Sequence, residues 1–552
     1  MKIVTAAEMR EIDRITTEKY GVPSLTLMEN AGSAVAEFVL QEYPEAKRIG
    51  VICGKGNNGG DGLVAARKLH EAGRHVEVLL LAEPAELKGD AAAMYKKLPV
   101  KAVVARNEDE LKSDVAQQVY ETDVIVDAIF GTGFKPPVKG FYRTAIGNIW
   151  EALTRVVSVD LPSGVDADEM NSWPRGDDEE LIPAVSYGVV TFTAPKLAHV
   201  FCHLTDGPVV VTPIGSPPDA VQSDLKLEVI TCGNLFFLKS RGSHDSHKGD
   251  FGHVLVIGGS LGKAGAPAMS GLAALRAGAG LVTVAVPRSI LPTVAGFAPE
   301  LMTEPLQETE AGTISMKAFD YGRMETLLQG KTVVAVGPGV SRHPESAEFV
   351  RTLVARCEIP VILDADGLNA FEGCADQLDG SKRRLIVTPH PGEMGRLAGL
   401  QTDDVQQDRL GVARKFAAAH HCVVILKGWR TLVALDDGRV WVNTTGNPGM
   451  ATGGTGDVLT GMVSALLAQY PSEEQQRTGP LLASVHLHGL AGDLARKELG
   501  EFSMTASDLL RFLPGAFLRV KEVTALQFLL SGHGGFEHLQ ETKESKFVRI
   551  SG

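Results

Sequence analysis

The segment Gly446-Asn447-Pro448-Gly449-Met450-Ala451-Thr452-Gly453-Gly454-Thr455-Gly456-Asp457 runs straight into the apolar stretch Val458-Leu459-Thr460-Gly461-Met462-Val463. Glycines, then an Asp, then helix-like apolar spacing predict a loop closing on a helix N-terminus. Unpaired backbone N–H groups and the positive end of the macrodipole favour an anion there. Asp457, in the first turn, is placed to act on a proton or a metal beside a phosphate. The plainer alternative is a turn followed by an N-terminal helix acid. Three upstream segments favour the chemical reading. Pro360-Val361-Ile362 leads into Leu363-Asp364-Ala365-Asp366-Gly367-Leu368-Asn369, Leu385-Ile386-Val387 into Thr388-Pro389-His390-Pro391-Gly392-Glu393, and Cys422 to Leu426 into Lys427-Gly428-Trp429-Arg430-Thr431. Each is an apolar strand ending in polar or glycine residues, the place where parallel α/β sheets collect their ligands.

The first half carries a second such arrangement. Arg48 to Cys53 reads as a buried strand that delivers the chain to Gly54-Lys55-Gly56-Asn57-Asn58-Gly59-Gly60-Asp61-Gly62, with a helix expected from Leu63. Gly54, Gly56 and Gly59 satisfy G-x-G-x-x-G, but the acid that a dinucleotide fingerprint needs at the end of the second strand arrives only at Glu83, which is late. Two Asn and an Asp in the loop suit a bound cation better than hydride transfer. The strand Asp123 to Asp127 leads into Ala128-Ile129-Phe130-Gly131-Thr132-Gly133-Phe134-Lys135-Pro136-Pro137, and Arg155 to Asp160 leads into Leu161-Pro162-Ser163-Gly164. A strand-end Asp is often only a turn residue. Two of them beside an Asn-Asn-Gly-Gly-Asp loop point to a site.

The elements that hold these residues form an α/β protein. A length of 552 residues exceeds one ordinary core, and Pro213-Ile214-Gly215-Ser216-Pro217-Pro218 is the expected boundary. The expected division is a first domain over 1–215, a linker over 216–224, a second domain over 225–530 and a disordered tail over 531–552. The formal charge of −13 argues against a nucleic-acid surface. The six cysteines are scattered, without metal-ligand spacing, and fit buried thiols in a reducing compartment. No apolar run is long enough to span a bilayer and no signal peptide is evident, so no membrane and a cytoplasmic site are expected. Thr5-Ala6-Ala7-Glu8 is a capping box opening a helix with Met9, Ile12 and Ile15 on one side, and Ser24 is the expected cap of the next helix. Gly258 to Ala264 is not a Walker loop: three residues separate Gly258 from Gly262, and Ala264 stands where Ser or Thr belongs. The acidic stretch Asn171 to Glu180 reads as a surface loop, and His486 and His488 as structural histidines.

The first half resembles the YjeF N-terminal family of NAD(P)H-hydrate epimerases, on Leu27 to Gly32, Asn57 to Asp61, Asp127, Gly131 to Pro137 and Asp160 to Gly164. The resemblance implies a Rossmann-like fold whose pocket for a hydrated nicotinamide dinucleotide is formed by Asn57, Asn58, Gly59, Gly60, Asp61, Gly131, Thr132, Gly133, Phe134, Lys135, Pro136, Pro137 and Asp160. It also implies potassium held by Asn58, Asp127 and Ser163, with Asp160 as the acid–base group. Some members of that family are non-catalytic scaffolds; the presence of both Asp127 and Asp160 argues for an enzyme.

Residues from 225 to about 525 resemble the NAD(P)H-hydrate dehydratase branch of the ribokinase-like fold, on the four segments quoted first. That resemblance implies contacts of Ala266, Gly339, His390 and Asp457 with the hydrated nucleotide. It places ADP or ATP, with Mg2+, on Lys427, Gly428, Trp429, Arg430, Thr431 and Gly456. Lys248 is a further candidate for a phosphate contact. Together the two resemblances imply metabolite repair: epimerisation of NADHX or NADPHX, then dehydration of the S form to NADH or NADPH. No residue decides ADP against ATP, and a homo-oligomer is expected. The alternative is a ribokinase-like small-molecule kinase with a non-catalytic, ligand-sensing N-terminal module.

Overall fold

The computed structural model describes residues 1–170, 184–239, 244–470, 478–530 and 547–551; the acidic stretch 171–180 lies outside the described residues. Two compact units form. One comprises Met1–Val229 with the C-terminal strand, and the other begins at Ile230.

In the first unit, apolar runs rich in Val and Ile become strands buried on both faces, as a parallel sheet covered by helices requires. They are β1 (Arg48–Cys53), β2 (His75–Leu80), β3 (Val103–Val104), β4 (Val124–Ala128), β5 (Arg155–Val159), β6 (Gly188–Phe192) and β7 (Val209–Thr212). With the C-terminal strand Val548–Ser551 the order is C-terminal strand-β7-β6-β5-β4-β1-β2-β3. Val51 lies beside Val78 and Val126, and Val126 beside Val157, all in parallel register. The chain runs outward from β1 in one direction and from β4 in the other. The carboxyl ends of β1 and β4 therefore flank the switch-point crevice where such sheets bind ligands.

Four expectations are corrected here. The helix after β1 starts at Asn57 and runs to Glu71, so the Asn-Asn-Gly-Gly-Asp run forms its first turns and not a loop. Asn and Gly are poor helix formers, but Gly59 packs where a Cβ would come 1.9 Å from the Gly54 carbonyl, so the tertiary contact decides. Ser24 is the first residue of the helix Ser24–Glu42, and Pro23 is its cap, without a side-chain bond. The tail expected to lack structure contributes the strand Val548–Ser551, antiparallel to β7, with Arg549 paired to Glu42; residues 531–546 lie outside the described residues. Finally, 216–224 belongs to the first unit. Glu8 accepts the Asp224 N–H at 2.8 Å and the Ser223 hydroxyl at 3.2 Å, and the short strand β8 (Leu227–Val229) is held by the Val229 N–H on Met1 O at 2.7 Å. The capping box forms as expected, Thr5 accepting from Glu8 N at 3.1 Å and Glu8 from Thr5 N at 2.8 Å.

The second unit contains β9 (His253–Ile257), β10 (Leu281–Pro287), β11 (Met302–Leu306), β12 (Val333–Val336), β13 (Val361–Leu363), β14 (Leu385–Val387), β15 (Val423–Leu426), β16 (Leu432–Ala434) and β17 (Val440–Val442). Their order is β11-β10-β9-β12-β13-β14-β15-β16-β17, parallel as far as β15 and antiparallel beyond it. The helix Thr455–Gln469 is buried from Val458 to Ala468 and lies against the helix Gly265–Arg276, so closely that a Cβ on Gly461 would come 2.1 Å from Ser270 O. This packing aims the first turn of the helix, with Asp457, at the carboxyl ends of the central strands. Both units are α/β, as expected.

Candidate functional site

In the first unit Asp160 follows β5 with a φ of 63°, a left-handed conformation that costs a non-glycine residue roughly 1–3 kcal/mol and needs support. The support is a set of donors. Oδ2 accepts from the Thr132 N–H at 3.0 Å and from the Thr132 hydroxyl in a shorter bond, while Oδ1 accepts from the Thr191 hydroxyl and the Lys196 ammonium, both at 2.8 Å. Lys196 is only 1% exposed. His199 accepts the Lys196 N–H at Nδ1 (2.9 Å), which leaves Nε2 to donate to Asp160 O at 2.6 Å. Burial pushes the Asp160 carboxyl up, but Lys196, His199 and Thr132 outweigh it and hold the carboxyl well below the usual carboxylate range. Burial and the Lys196 charge lower His199 to about 4, so its ring is neutral.

A cavity of about 680 Å³ opens over this network, within the range of small-molecule sites. Of the expected residues, Asn57, Asn58, Asp61, Gly131, Thr132, Gly133, Phe134, Lys135 and Asp160 line it; Gly59, Gly60, Pro136 and Pro137 do not. Gly59 and Gly60 serve packing, a Cβ on Gly60 meeting the Met28 side chain at 2.7 Å. Lys135 is ion-paired to Asp166 (2.7 Å) and Asp168 (3.1 Å). Asp127 lies fully buried outside the lining, with Oδ1 accepting from Ser163 Oγ at 2.6 Å and Oδ2 from Ser163 N at 2.8 Å. Burial raises its carboxyl while the Ser163 bonds pull the other way. Asn58 Oδ1 sits 2.7 Å from where a Gly131 Cβ would be, which accounts for the glycine.

Three groups escape a reading of the sequence alone. Lys196 and Thr191 lie at and beyond the end of β6, which carries no glycine motif, and Asp13 comes from the N-terminal helix Ala6–Glu18. The only available signal for Asp13 was its i+4 spacing from buried Met9, which puts both on one helix face.

In the second unit β12 to β15 deliver Gly337, Asp364, Thr388 and Lys427 side by side. Asp364, 1% exposed, accepts at Oδ1 from Lys427 Nζ (2.7 Å) and Thr388 Oγ1 (2.8 Å), and at Oδ2 from Thr460 Oγ1 (2.8 Å) of the glycine-loop helix. Lys427 Nζ is also 3.7 Å from Glu393 Oε2, and a Cβ on Gly456 would lie 3.3 Å from it. Burial disfavours the ammonium, but Asp364, Glu393 and Asp457 more than compensate and keep it charged. Asp457 is pushed up to about 7 by burial, with Asp364 adding to the shift and Lys427 opposing it. That is a carboxyl poised to exchange protons at neutral pH.

His390 caps the helix Pro391–Ala398. Nδ1 accepts from Gly392 N (3.1 Å) and Glu393 N (3.3 Å), and Glu393 Oε2 accepts from His390 N (2.8 Å). This shared cap ties His390 to the glutamate facing Lys427. Gly339, at φ 69°, lies against Ala266, whose Cβ would be 3.4 Å from one on Gly339. Gly428 to Thr431 form the turn between β15 and β16. Arg409 binds the carbonyls of Leu426, Lys427 and Trp429, and the Arg430 guanidinium stacks 4.9 Å over the half-exposed Trp429 ring. His486 and His488 are both lowered to about 4 by burial, and His488 Nε2 binds Thr455 O at 2.9 Å, in keeping with structural roles. Lys248 is a correction. It precedes β9, where Gly252 packs on Ala468 in the last turn of the helix whose first turn carries Asp457, so it sits at the amino ends of the strands, away from the carboxyl ends that hold this site.

Comparison with known proteins follows the two units. Residues 24–198 match the family model of the YjeF-related protein N-terminus, and residues 254–515 match that of NAD(P)H-hydrate dehydratase. The chain is 41% identical over 535 residues to the bifunctional NAD(P)H-hydrate repair enzyme Nnr of Moorella thermoacetica, a match covering 95% of this chain and 98% of that one. It is 37% identical over 529 residues to the protein of the same name from Thermofilum pendens, covering 95% and 97%. Among solved structures, the ADP/ATP-dependent NAD(P)H-hydrate dehydratase from Bacillus subtilis, co-crystallised with ATP and Mg2+, is 28% identical with a TM-score of 0.44, covering 53% of this chain and 98% of that one.

Proposed function

Because the chain belongs to the bifunctional NAD(P)H-hydrate repair enzyme family, we propose that its two units epimerise and dehydrate hydrated NADH and NADPH. The unit Met1–Val229 interconverts the R and S forms. The unit beginning at Ile230 returns the S form to the dihydronicotinamide with ADP or ATP, releasing phosphate and AMP or ADP. Repair enzymes related over nearly the full length speak against the kinase with a non-catalytic first module.

The observation that carries the dehydratase reading is Asp457: a carboxyl raised to about 7 in the first turn of a helix, facing the Lys427–Asp364 pair. The hydroxyl on the hydrated ring is a poor leaving group. Asp457 accepts its proton as the terminal phosphoryl group of the nucleotide moves onto the oxygen. Lys427 and the N–H groups from Gly453 to Gly456 balance the charge that builds on that phosphoryl. Phosphate then leaves with the C–O electrons and the adjacent carbon loses a proton, which restores the ring double bond. Ala266, Gly339 and His390 hold the hydrated nucleotide, and Lys427 to Thr431 with Gly456 hold the adenine nucleotide.

Two ions belong to the same proposal. No group of three or more His, Cys, Asp or Glu side chains among the described residues is arranged to hold a metal. The second site therefore fits a Mg2+ that arrives on nucleotide phosphates and meets one or two carboxylates, its usual habit; there it would neutralise phosphate charge. In the first unit Asp127 Oδ1 and Ser163 Oγ lie 2.6 Å apart, and Asn58, in the cavity lining, brings an amide oxygen. These hard oxygen donors fit an alkali cation such as potassium, which would anchor the substrate phosphates. The free cysteines suit a reducing compartment, and we place the enzyme in the cytoplasm.

The test is product analysis with (S)-NADHX and ADP or ATP. Equal yields of dihydronicotinamide and inorganic phosphate support the reading, and a stable phosphorylated product without dihydronicotinamide contradicts it.

A further inference from the structure

The carboxylate expected to move the proton in the first unit is fully engaged. Both oxygens of Asp160 accept from Thr132, Thr191 and Lys196, and its carboxyl is held well below the usual range. A base so weak, with its lone pairs committed, is poorly matched to proton transfer at neutral pH. The same cavity is lined by another carboxylate, Asp13, whose buried Oδ1 accepts no hydrogen bond from any described residue.

We propose that Asp13 is the proton-transfer residue of the epimerase site, and that Asp160 is a positioning residue that fixes Lys196 and its own negative charge beside it. The inference rests on the epimerase reading of the first unit. The hydrated ring carbon carries a hydroxyl and is bonded to the ring nitrogen. Asp13 takes the hydroxyl proton through one oxygen and delivers it to that nitrogen through the other. The O–H electrons form the carbonyl bond as the C–N bond breaks with its electrons going to nitrogen. The carbon is then planar; the nitrogen adds back to its other face, and the proton returns by the same path. Nothing is oxidised or reduced, and Asp13 ends as it began.

The surroundings of Asp13 suit this task. Lys196 and Asp160 face it from the segments after β6 and β5, Asp61 lines the same cavity from the helix Asn57–Glu71, and Arg10 lies on its own helix. Burial raises its carboxyl to about 6, with Lys196 opposing the shift and Asp160 adding to it. At pH 7 Asp13 is mostly ionised and ready to accept, and as an acid it is strong enough to return the proton. Asp61 is pushed well above its ordinary value by burial, with Asp160 adding to the shift.

The experiment measures R-to-S interconversion by the full chain, without nucleotide, as a function of pH for wild type, Asp13→Asn and Asp13→Glu. Wild type should gain rate as pH rises through about 6. Asp13→Asn should lose kcat by about 10²–10⁴-fold, with KM within a few-fold and that limb of the profile gone. Asp13→Glu, which keeps the carboxyl, should recover part of the rate with a displaced limb, and it serves as the readout if the amide variant misfolds. Interconversion by Asp13→Asn within a few-fold of wild type, or a loss confined to KM, overturns the role of Asp13 alone. So does an Asp13→Glu variant, folded by its melting transition, that is no faster than Asp13→Asn. Failure of wild type itself to interconvert the epimers overturns the epimerase reading and this inference with it.

Discussion

At Asp457 burial and the neighbouring Asp364 carboxylate raise the carboxyl to about 7, and this has consequences for rate and for stability. As the base of phosphoryl transfer it must be ionised, so the dehydration rate at saturating nucleotide should rise through about pH 7. Asp457→Asn should lower it by about 10²–10⁴-fold. For stability the sign is the reverse of an ordinary ion-paired acid. The folded chain binds this proton more tightly than the unfolded chain, so its contribution is fully present below about pH 4 and is lost as pH rises toward 7. Asp457→Asn should therefore melt higher than wild type at pH 8, with the gain disappearing in acid. Lys427→Met should instead destabilise. It leaves the buried Asp364 carboxylate with Thr388 and Thr460 alone, and removing one partner of a buried pair costs about 3–5 kcal/mol, which denaturant unfolding of the second unit would register. Strand-end and helix-start acids such as Asp127, Asp160 and Asp457 were legible in the sequence because position and residue type coincide. Lys196 and Asp13, which line the cavity with Asp160, and His199, which binds Asp160 O, were not: they come from segments that carry no motif, and only the packing of those segments on the sheet brings them together.

At the scale of elements, the strands declared themselves through apolar runs ended by glycine or Asp, and so did the helix starts at Thr5 and Asp457, while those at Ser24 and Asn57 did not. The helix at Asn57 opens on residues that disfavour helices, and what holds it is the close approach of Gly59 to the Gly54 carbonyl. Gly59→Ala should thus act as an overpacking substitution, costing about 1–3 kcal/mol. It should slow epimerisation by displacing Asn57 and Asn58, while dehydration of pure (S)-NADHX by the same protein stays at the wild-type rate. Equal loss of both activities would contradict this. The C-terminal strand against β7 is a short element whose pattern is invisible until its partner edge is known.

For the molecule as a whole, the proline-rich run after β7 gave a good signal for two units, yet the segment to Val229 stays with the first through Glu8 and Met1. Hydrogen bonds from distant residues set that limit, and local composition does not encode them. Each unit carries its own carboxylate and its own lysine paired to a buried aspartate, so variants at the two sites should separate cleanly: Asp13 and Asp160 in epimerisation, Asp457 in dehydration. The most direct measurement is the recovery of dihydronicotinamide absorbance from a mixture of R and S NADHX given to the full chain with ADP or ATP. Complete recovery is expected from wild type, recovery of the S portion alone on the enzymatic timescale from Asp13→Asn, and none from Asp457→Ala. Absence of recovery by wild type with either nucleotide would contradict the account.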